Sequence, residues 1–204
     1  MSVVAIIDYG MCNLDSVARA VEECGGTPRV TALEADIRVA THVILPGVGS
    51  FGEAMRNLRA RSLDSILGEH VRAKKIPFLG ICLGMQLLGS RGVEGAVSEG
   101  LGWISGEVVL LEPRGEERVP HVGWNEVQVT GKSPLFHGLA PGTDYYFVHS
   151  YHLRCEDPSD EVARTPFAGG FTSAVSRGAV YGVQFHPEKS QRAGFQVLRN
   201  FLAV

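Results

Sequence analysis

Between Val3 and Leu88, short β-branched and aliphatic runs alternate with longer amphipathic ones, and this alternation constrains the fold more than any single motif does. Val3 to Ile7, Thr27 to Thr31, His42 to Leu45 and Pro77 to Ile81 read as strands. Asn13 to Cys24, ended by Gly25-Gly26, and Gly52 to Lys75 read as helices, and a further helix starts over Leu83 to Leu88. Strands separated by helices argue for parallel βαβ units. In the first helix Leu14, Val17, Ala18 and Val21 share one face, and Asn13 is a candidate N-cap.

From about Leu101 the pattern changes. Glu107 to Leu111, Trp124 to Val129, Tyr145 to Val148, Phe171 to Ser176 and Ala179 to Phe185 read as strands joined by Gly/Pro turns, which predicts an antiparallel extension of the sheet. Gln191 to Leu202 places Phe195, Leu198 and Leu202 at helical spacing. The expected fold is α/β, a mixed and mostly parallel central sheet with flanking helices, in one domain over residues 1–204.

The strand at Pro77 to Ile81 runs into Gly80-Ile81-Cys82-Leu83-Gly84 and then a helix start. That arrangement matches a nucleophile elbow, in which a sharp strand-to-helix turn lifts one side chain clear of the sheet and glycines permit close helix–strand approach. Cys82 is then a candidate thiolate nucleophile; alone, it reads equally as a small buried hydrophobe. A nucleophile needs a base and the base an orienting group. Gln184-Phe185-His186-Pro187-Glu188 offers both, since residues two apart in an extended segment face the same side and Pro187 biases His186 toward that conformation. Alone, this segment reads as a strand-ending turn with a surface ion pair. Together, Cys82 and His186 end separate strands that could converge at the carboxyl edge of one sheet, where α/β sites lie.

A third element is Val43 to Gly52, a strand opening into a glycine-rich loop. It lacks the Lys-Ser/Thr of a Walker motif and the GxGxxG pattern, so a phosphate loop is disfavoured. Gly47 and Gly49 would let backbone N–H groups approach a ligand oxygen, as an oxyanion hole requires.

Composition removes other classes. A formal charge of −3 over 204 residues, with no basic run, argues against nucleic acid and anionic membrane surfaces. The apolar start, Met1 to Asp8, is too short for a signal peptide and has no basic flank, and nothing approaches a membrane span, so a cytosolic protein is expected. Cys12, Cys24, Cys82 and Cys155 lack CxxC spacing and fit reduced thiols. His149, His152 and Cys155 have no fourth ligand beside them, so no metal is expected.

Pro46-Gly47-Val48-Gly49, Gly80 to Gln86 and Gln184 to Ser190, in that order, resemble the motifs of class I (triad-type) glutamine amidotransferases. Within that class the chain is similar, over essentially its whole length, to the glutaminase subunits of imidazole glycerol phosphate synthases. The residues that carry this are Asp8-Tyr9-Gly10 with Asn13-Leu14, Pro46 to Met55, Val119 to Asn125, Tyr146 to Tyr151 and Gly182 to Ser190. The resemblance implies Cys82 as nucleophile, His186 as general base and acid, and Glu188 as orienting carboxylate. It implies an oxyanion hole from the Leu83 N–H and an N–H of Gly47-Val48-Gly49, with Gln86, Glu94 and the backbone around His149-Ser150 holding glutamine.

The implied reaction is hydrolysis of glutamine to glutamate and ammonia through a cysteine thioester, with no cofactor and no metal. Ammonia would pass to a separate (β/α)₈-barrel synthase subunit that makes imidazole glycerol phosphate and AICAR in histidine biosynthesis. In the resembled family the glutaminase stays nearly silent until that partner binds its ligand, and Gly47-Val48-Gly49 is the strand expected to reorient. Two other readings are the glutaminase subunit of pyridoxal phosphate synthase, disfavoured by Pro-Gly-Val-Gly and Pro-His-Val-Gly-Trp-Asn, and a non-catalytic binding subunit, disfavoured by the complete Cys82, His186 and Glu188 set. Cys12 departs from the glycine usual in Asp-Tyr-Gly-x-Gly-Asn, which bears on that turn or a partner contact. Trp124 and Tyr146 read as core aromatics or partner surface, and Lys189 as a solvated lysine at a position that in the resembled family lies toward the barrel.

Overall fold

The computed structural model describes residues 2–204. The first half is built of β1 (Val3–Ile7), α1 (Leu14–Glu23), β2 (Thr27–Thr31), α2 (Glu34–Val39), β3 (His42–Gly47), α3 (Phe51–Ala60), α4 (Leu63–Leu67), β4 (Phe78–Cys82) and α5 (Leu83–Gln86). The second half holds β5 (Arg91–Gly92), β6 (Ser98–Glu99), β7 (Gly106–Leu110), β8 (His121–Val129), β9 (Thr143–His149), β10 (Tyr151–Cys155), β11 (Glu161–Thr165), β12 (Phe171–Arg177), β13 (Val180–Val183) and α6 (Gln191–Leu202).

Nine strands form one sheet in the order β2-β1-β3-β4-β13-β12-β11-β8-β9. The four pairs from β2 through β13 are parallel and the four from β13 onward antiparallel, so the sheet is mixed α/β as expected but half, not mostly, parallel, because the second half of the chain adds four antiparallel pairs. The parallel strands are apolar without alternation because both faces are covered. In β1, Val4 and Ile6 pack with Val17 and Val21 of α1 and Val197 and Phe201 of α6, while Ala5 and Ile7 pack with Met55 and Leu58 of α3.

Several expectations are corrected. The segment Ala179 to Phe185 does not extend the sheet antiparallel on both sides: β13 pairs parallel with β4, which puts the two candidate motifs on adjacent strands. The stretch Gly52 to Lys75 is not one helix; Ser62 takes a left-handed φ of 55° and splits it into α3 and α4, with a π turn over Gly68–Ala73. Asn13 stands at the N-cap of α1, but its side chain makes no capping bond. The helix α2 and the strands β10 and β11 were not foreseen, nor was a second sheet in the order β10-β7-β5-β6. The buried residues of α6 are Gly194, Val197, Leu198 and Phe201, and Phe195 and Leu202 only flank that face.

Candidate active site

Cys82 ends β4 and precedes the first turn of α5 with φ 54° and ψ −111°, a backbone state that costs a non-glycine residue about 1–3 kcal/mol. The neighbours make that turn feasible. A Cβ on Gly80 would sit 2.5 Å from the Gly84 carbonyl oxygen, and one on Gly84 would sit 1.8 Å from that of Leu45, so only glycine permits this helix–strand approach. Leu83 opens the helix and lines the cavity over Cys82, so its N–H has no partner within the helix.

The parallel register β4–β13 brings His186 beside this elbow. Its backbone N–H donates to the Tyr146 carbonyl at 2.9 Å, and Ser190 Oγ donates to the His186 carbonyl at 2.6 Å and accepts the Tyr146 N–H at 3.0 Å. Extended backbone stops at His186, and Pro187–Lys189 forms a 3₁₀ turn that swings Glu188 back under the ring. This replaces the extended geometry expected for the pair while keeping its result. His186 Nδ1 donates to Glu188 Oε1 at 2.8 Å, with both side chains almost fully buried. Burial pulls the imidazole down, but the Cys82 sulfur and the Glu188 carboxylate outweigh it and raise His186 to about 10. His186 Nε2 makes no well-formed hydrogen bond within the protein, which leaves it to serve the sulfur and a reacting group.

A cavity of about 220 Å³ opens over the sulfur, lined by Val48, Gly49, Cys82, Leu83, Gln86, Glu94, Val148, His149, Ser150 and Tyr151. That is below the roughly 300–1,000 Å³ of drug-sized sites and suits a small ligand. The expected nucleophile, loop and substrate-contact residues therefore meet at one place, with Gly47 directly behind at the end of β3. Several of these groups are already engaged within the protein. The Val48 N–H donates to the Met11 carbonyl at 2.9 Å, so it does not supply the second oxyanion donor in this conformation. Glu94 Oε2 accepts the Phe51 N–H at 2.8 Å and so caps α3 with one of its oxygens. Gln86 Nε2 spends both N–H bonds, on the Tyr151 carbonyl at 2.7 Å and Gln184 Oε1 at 3.0 Å.

Gln184, fully buried, was named in the motif without a role. Its Nε2 lies 3.7 Å from the Cys82 sulfur, and its place two residues before His186 was the signal that it faces the site. Tyr9 was also missed: a Cβ on Gly47 would meet its Oη at 2.2 Å, and no sequence spacing reports that contact. Cys12 does not adopt the left-handed conformation that would demand glycine, and its thiol lies 3.6 Å from the Ile7 carbonyl. His149, His152 and Cys155 do not converge; among the described residues no three potential ligands cluster. Trp124 is not a core residue, being 48 % exposed, and Lys189 sits over the Tyr146 ring at 5.9 Å.

Comparison with known proteins speaks to the family and the fold. The family described as glutamine amidotransferase class-I matches residues 5–204. The imidazole glycerol phosphate synthase subunit HisH of Moorella thermoacetica is 46 % identical over 98 % of the chain and 94 % of its own length. Subunit HisH 1 of Campylobacter jejuni subsp. jejuni (strain 81-176) is 43 % identical over 97 % of the chain and 98 % of its own length. Among solved structures, PurLQS from Thermotoga maritima superposes with a TM-score of 0.76 at 20 % identity, covering 100 % of the chain and 99 % of that one. At that identity it speaks for the fold.

Proposed function

The chain belongs to the class-I glutamine amidotransferases, and we propose that it is the glutaminase subunit of an imidazole glycerol phosphate synthase, acting in histidine biosynthesis. The observation that carries the reaction is the strained Cys82 beside the buried His186–Glu188 pair at the mouth of a small cavity. The Cys82 sulfur attacks the side-chain carboxamide carbon of glutamine. The oxygen that becomes negative faces the Leu83 N–H, and His186 gives its Nε2 proton to the departing nitrogen. Ammonia leaves, a γ-glutamyl thioester remains, and His186 then takes a proton from the water that hydrolyses it. Gln86, Glu94 and the backbone at His149 and Ser150 hold the substrate.

The second oxyanion donor is withheld. Freeing the Val48 N–H from Met11 requires the Gly47-Val48-Gly49 strand to turn, and in our reading the partner drives that turn. The partner is a (β/α)₈-barrel synthase subunit that consumes ammonia. What supports a docking face here is an exposed apolar stripe beside the cavity: Val122 at 58 %, Trp124 at 48 % and Val148 at 36 % on the β8–β9 edge, with Val48 at 43 %. The full chain forms one amidotransferase domain, and the protein works in the cytosol. The 43–46 % full-length relatives named above favour this over a pyridoxal phosphate synthase subunit.

The test is glutamate release from glutamine, measured with and without the synthase subunit and its ligand. Turnover that rises strongly on adding both is expected. No glutamate release in the complete complex would overturn the reading.

A further inference from the structure

Behind the cavity wall, β8 and β9 place His121 directly opposite His149, with both rings buried. His121 Nδ1 lies 3.1 Å from His149 Nε2, and the direction of that bond is fixed from both ends. At one end Asn125 Oδ1 accepts the Glu126 N–H at 2.9 Å, so Asn125 Nδ2, 3.3 Å from His121 Nε2, is the donor there. His121 Nε2 accepts, and a neutral ring must then carry its proton on Nδ1. At the other end the Tyr151 carbonyl, 2.9 Å from His149 Nδ1, can only accept, so His149 carries its proton on Nδ1 and accepts at Nε2.

Both ends demand the same tautomers, and the chain runs without a clash from Asn125 through His121 and His149 to the Tyr151 carbonyl. A second proton on either ring would set N–H against N–H. Burial agrees with this, pulling His121 down to about 4 and His149 to about 3. The Tyr151 carbonyl is also where Gln86 spends its first N–H, and Gln184 takes the second. The only acceptor or donor the Gln86 amide can then offer the cavity is its Oε1.

We propose that His121 is a positioning residue for the glutaminase site: with Asn125 it holds the His149 ring, which anchors the Tyr151 carbonyl and thereby locks Gln86 with its oxygen toward the N–H donors of bound glutamine. The inference rests on the glutaminase reading above. Its effect falls on glutamine affinity, since His121, Asn125, His149, the Tyr151 carbonyl and Gln86 make no hydrogen bond to the Cys82 sulfur.

Two measurements on the assembled complex test it. Long-range ¹H–¹⁵N correlation of the imidazoles in wild-type protein at neutral pH should show His121 and His149 both neutral and both protonated on Nδ1. An Nε2–H tautomer or an imidazolium at either ring overturns the proposal. His121→Phe keeps a ring against Phe167, stacked at 4.1 Å, and removes both nitrogens. It should raise KM for glutamine about tenfold, the effect of one net hydrogen bond, with kcat changed less than about threefold and ammonia-dependent synthesis unchanged. His121→Asn, whose amide nitrogen takes the place of Nδ1, should bring KM back to within about threefold of wild type. An unaltered KM in the Phe variant, a loss shared with the ammonia-dependent reaction, or a Phe-like KM in the Asn variant each overturns it. Wild-type turnover of glutamine tests the glutaminase reading separately, and the ratios of variant to wild type test this inference.

Discussion

Two buried imidazole arrangements border the Cys82 site and use the same ring in opposite ways. His186 lies between a sulfur and a carboxylate, and those two partners outweigh burial and raise it to about 10. His121 and His149 are hydrogen-bonded only to dipoles, an amide N–H at one end and a carbonyl at the other; burial outweighs the pull of the Glu117 carboxylate on His121, the neighbouring imidazoles push His149 the same way as burial, and the two rings are held at about 4 and about 3. What decides the charge of a buried histidine here is whether its partners are ions or dipoles, since burial alone lowers all three. The charged ring can move a proton at neutral pH, whereas the neutral pair can only orient.

Removing the sulfur breaks the comparison most sharply. Cys82→Ala should lower glutamine-dependent synthesis by more than about 10³-fold, because members of a nucleophile–base unit are lost as a unit. Ammonia-dependent synthesis in the same complex should persist, and a parallel loss would mean that the residue supports the partner instead. The His186 titration, followed by NMR, should fall from about 10 because the sulfur that favours its charged form is gone. Glu188→Gln comes next. It keeps the shape and removes the carboxylate, so kcat should fall by about 10²–10⁴-fold with the ring's titration also shifting down. A wild-type pH profile in that variant would show that Glu188 does not hold the ring.

How far these arrangements were legible depends on how local they are. The elbow is written in five consecutive residues, because glycine two places either side of Cys82 is a steric demand of the turn itself. His186 and Glu188 lie two residues apart, so their pairing was legible even though a 3₁₀ turn, not an extended strand, delivers it. Gly47-Val48-Gly49 was legible as the strand that must reorient, but not the contact that holds it, because the Met11 carbonyl that accepts the Val48 N–H belongs to another loop. The His121–His149 bond depends on an antiparallel register across a connection that carries no spacing signal. The missed strands have the same origin. Glu161–Thr165, inside the sheet between β12 and β8, has only the short apolar pair Val162-Ala163, and Tyr151–Cys155 follows β9 after the single residue Ser150, so propensity alone did not reveal either strand.

The two arrangements should also pull stability in opposite directions with pH. His186 is raised above the ordinary 6.5, so its contribution is complete below about 6.5 and is lost as pH climbs through about 10. His121 and His149 are lowered, so the unfolded chain binds their protons more readily and stability falls as pH drops from about 6.5 toward about 4 and about 3, with His152, at about 4, adding to the same limb. Urea midpoints measured across pH should show both limbs. His121→Asn should flatten the acid limb alone and Glu188→Gln the alkaline limb alone; a variant that altered both limbs would mean that the two arrangements are not independent.

The smallest change should convert one arrangement into the other. In Asn125→Asp a carboxylate replaces the amide that donates to His121 Nε2. An ionised carboxylate can only accept, so Nε2 must now carry a proton. Moving the single proton from Nδ1 would set two acceptors face to face at His149 Nε2, and relaying the swap would do the same at the Tyr151 carbonyl. The arrangement without a clash is His121 protonated on both nitrogens, an imidazolium between an anion and a neutral ring. The His121 titration should therefore rise above its wild-type position near 4, while the chain of donors to Tyr151, and with it the KM for glutamine, stays nearly unchanged. An NMR titration reads the first and steady-state kinetics the second. If His121 stayed neutral with its titration unmoved beside the new carboxylate, ions against dipoles would no longer account for the difference between the two arrangements.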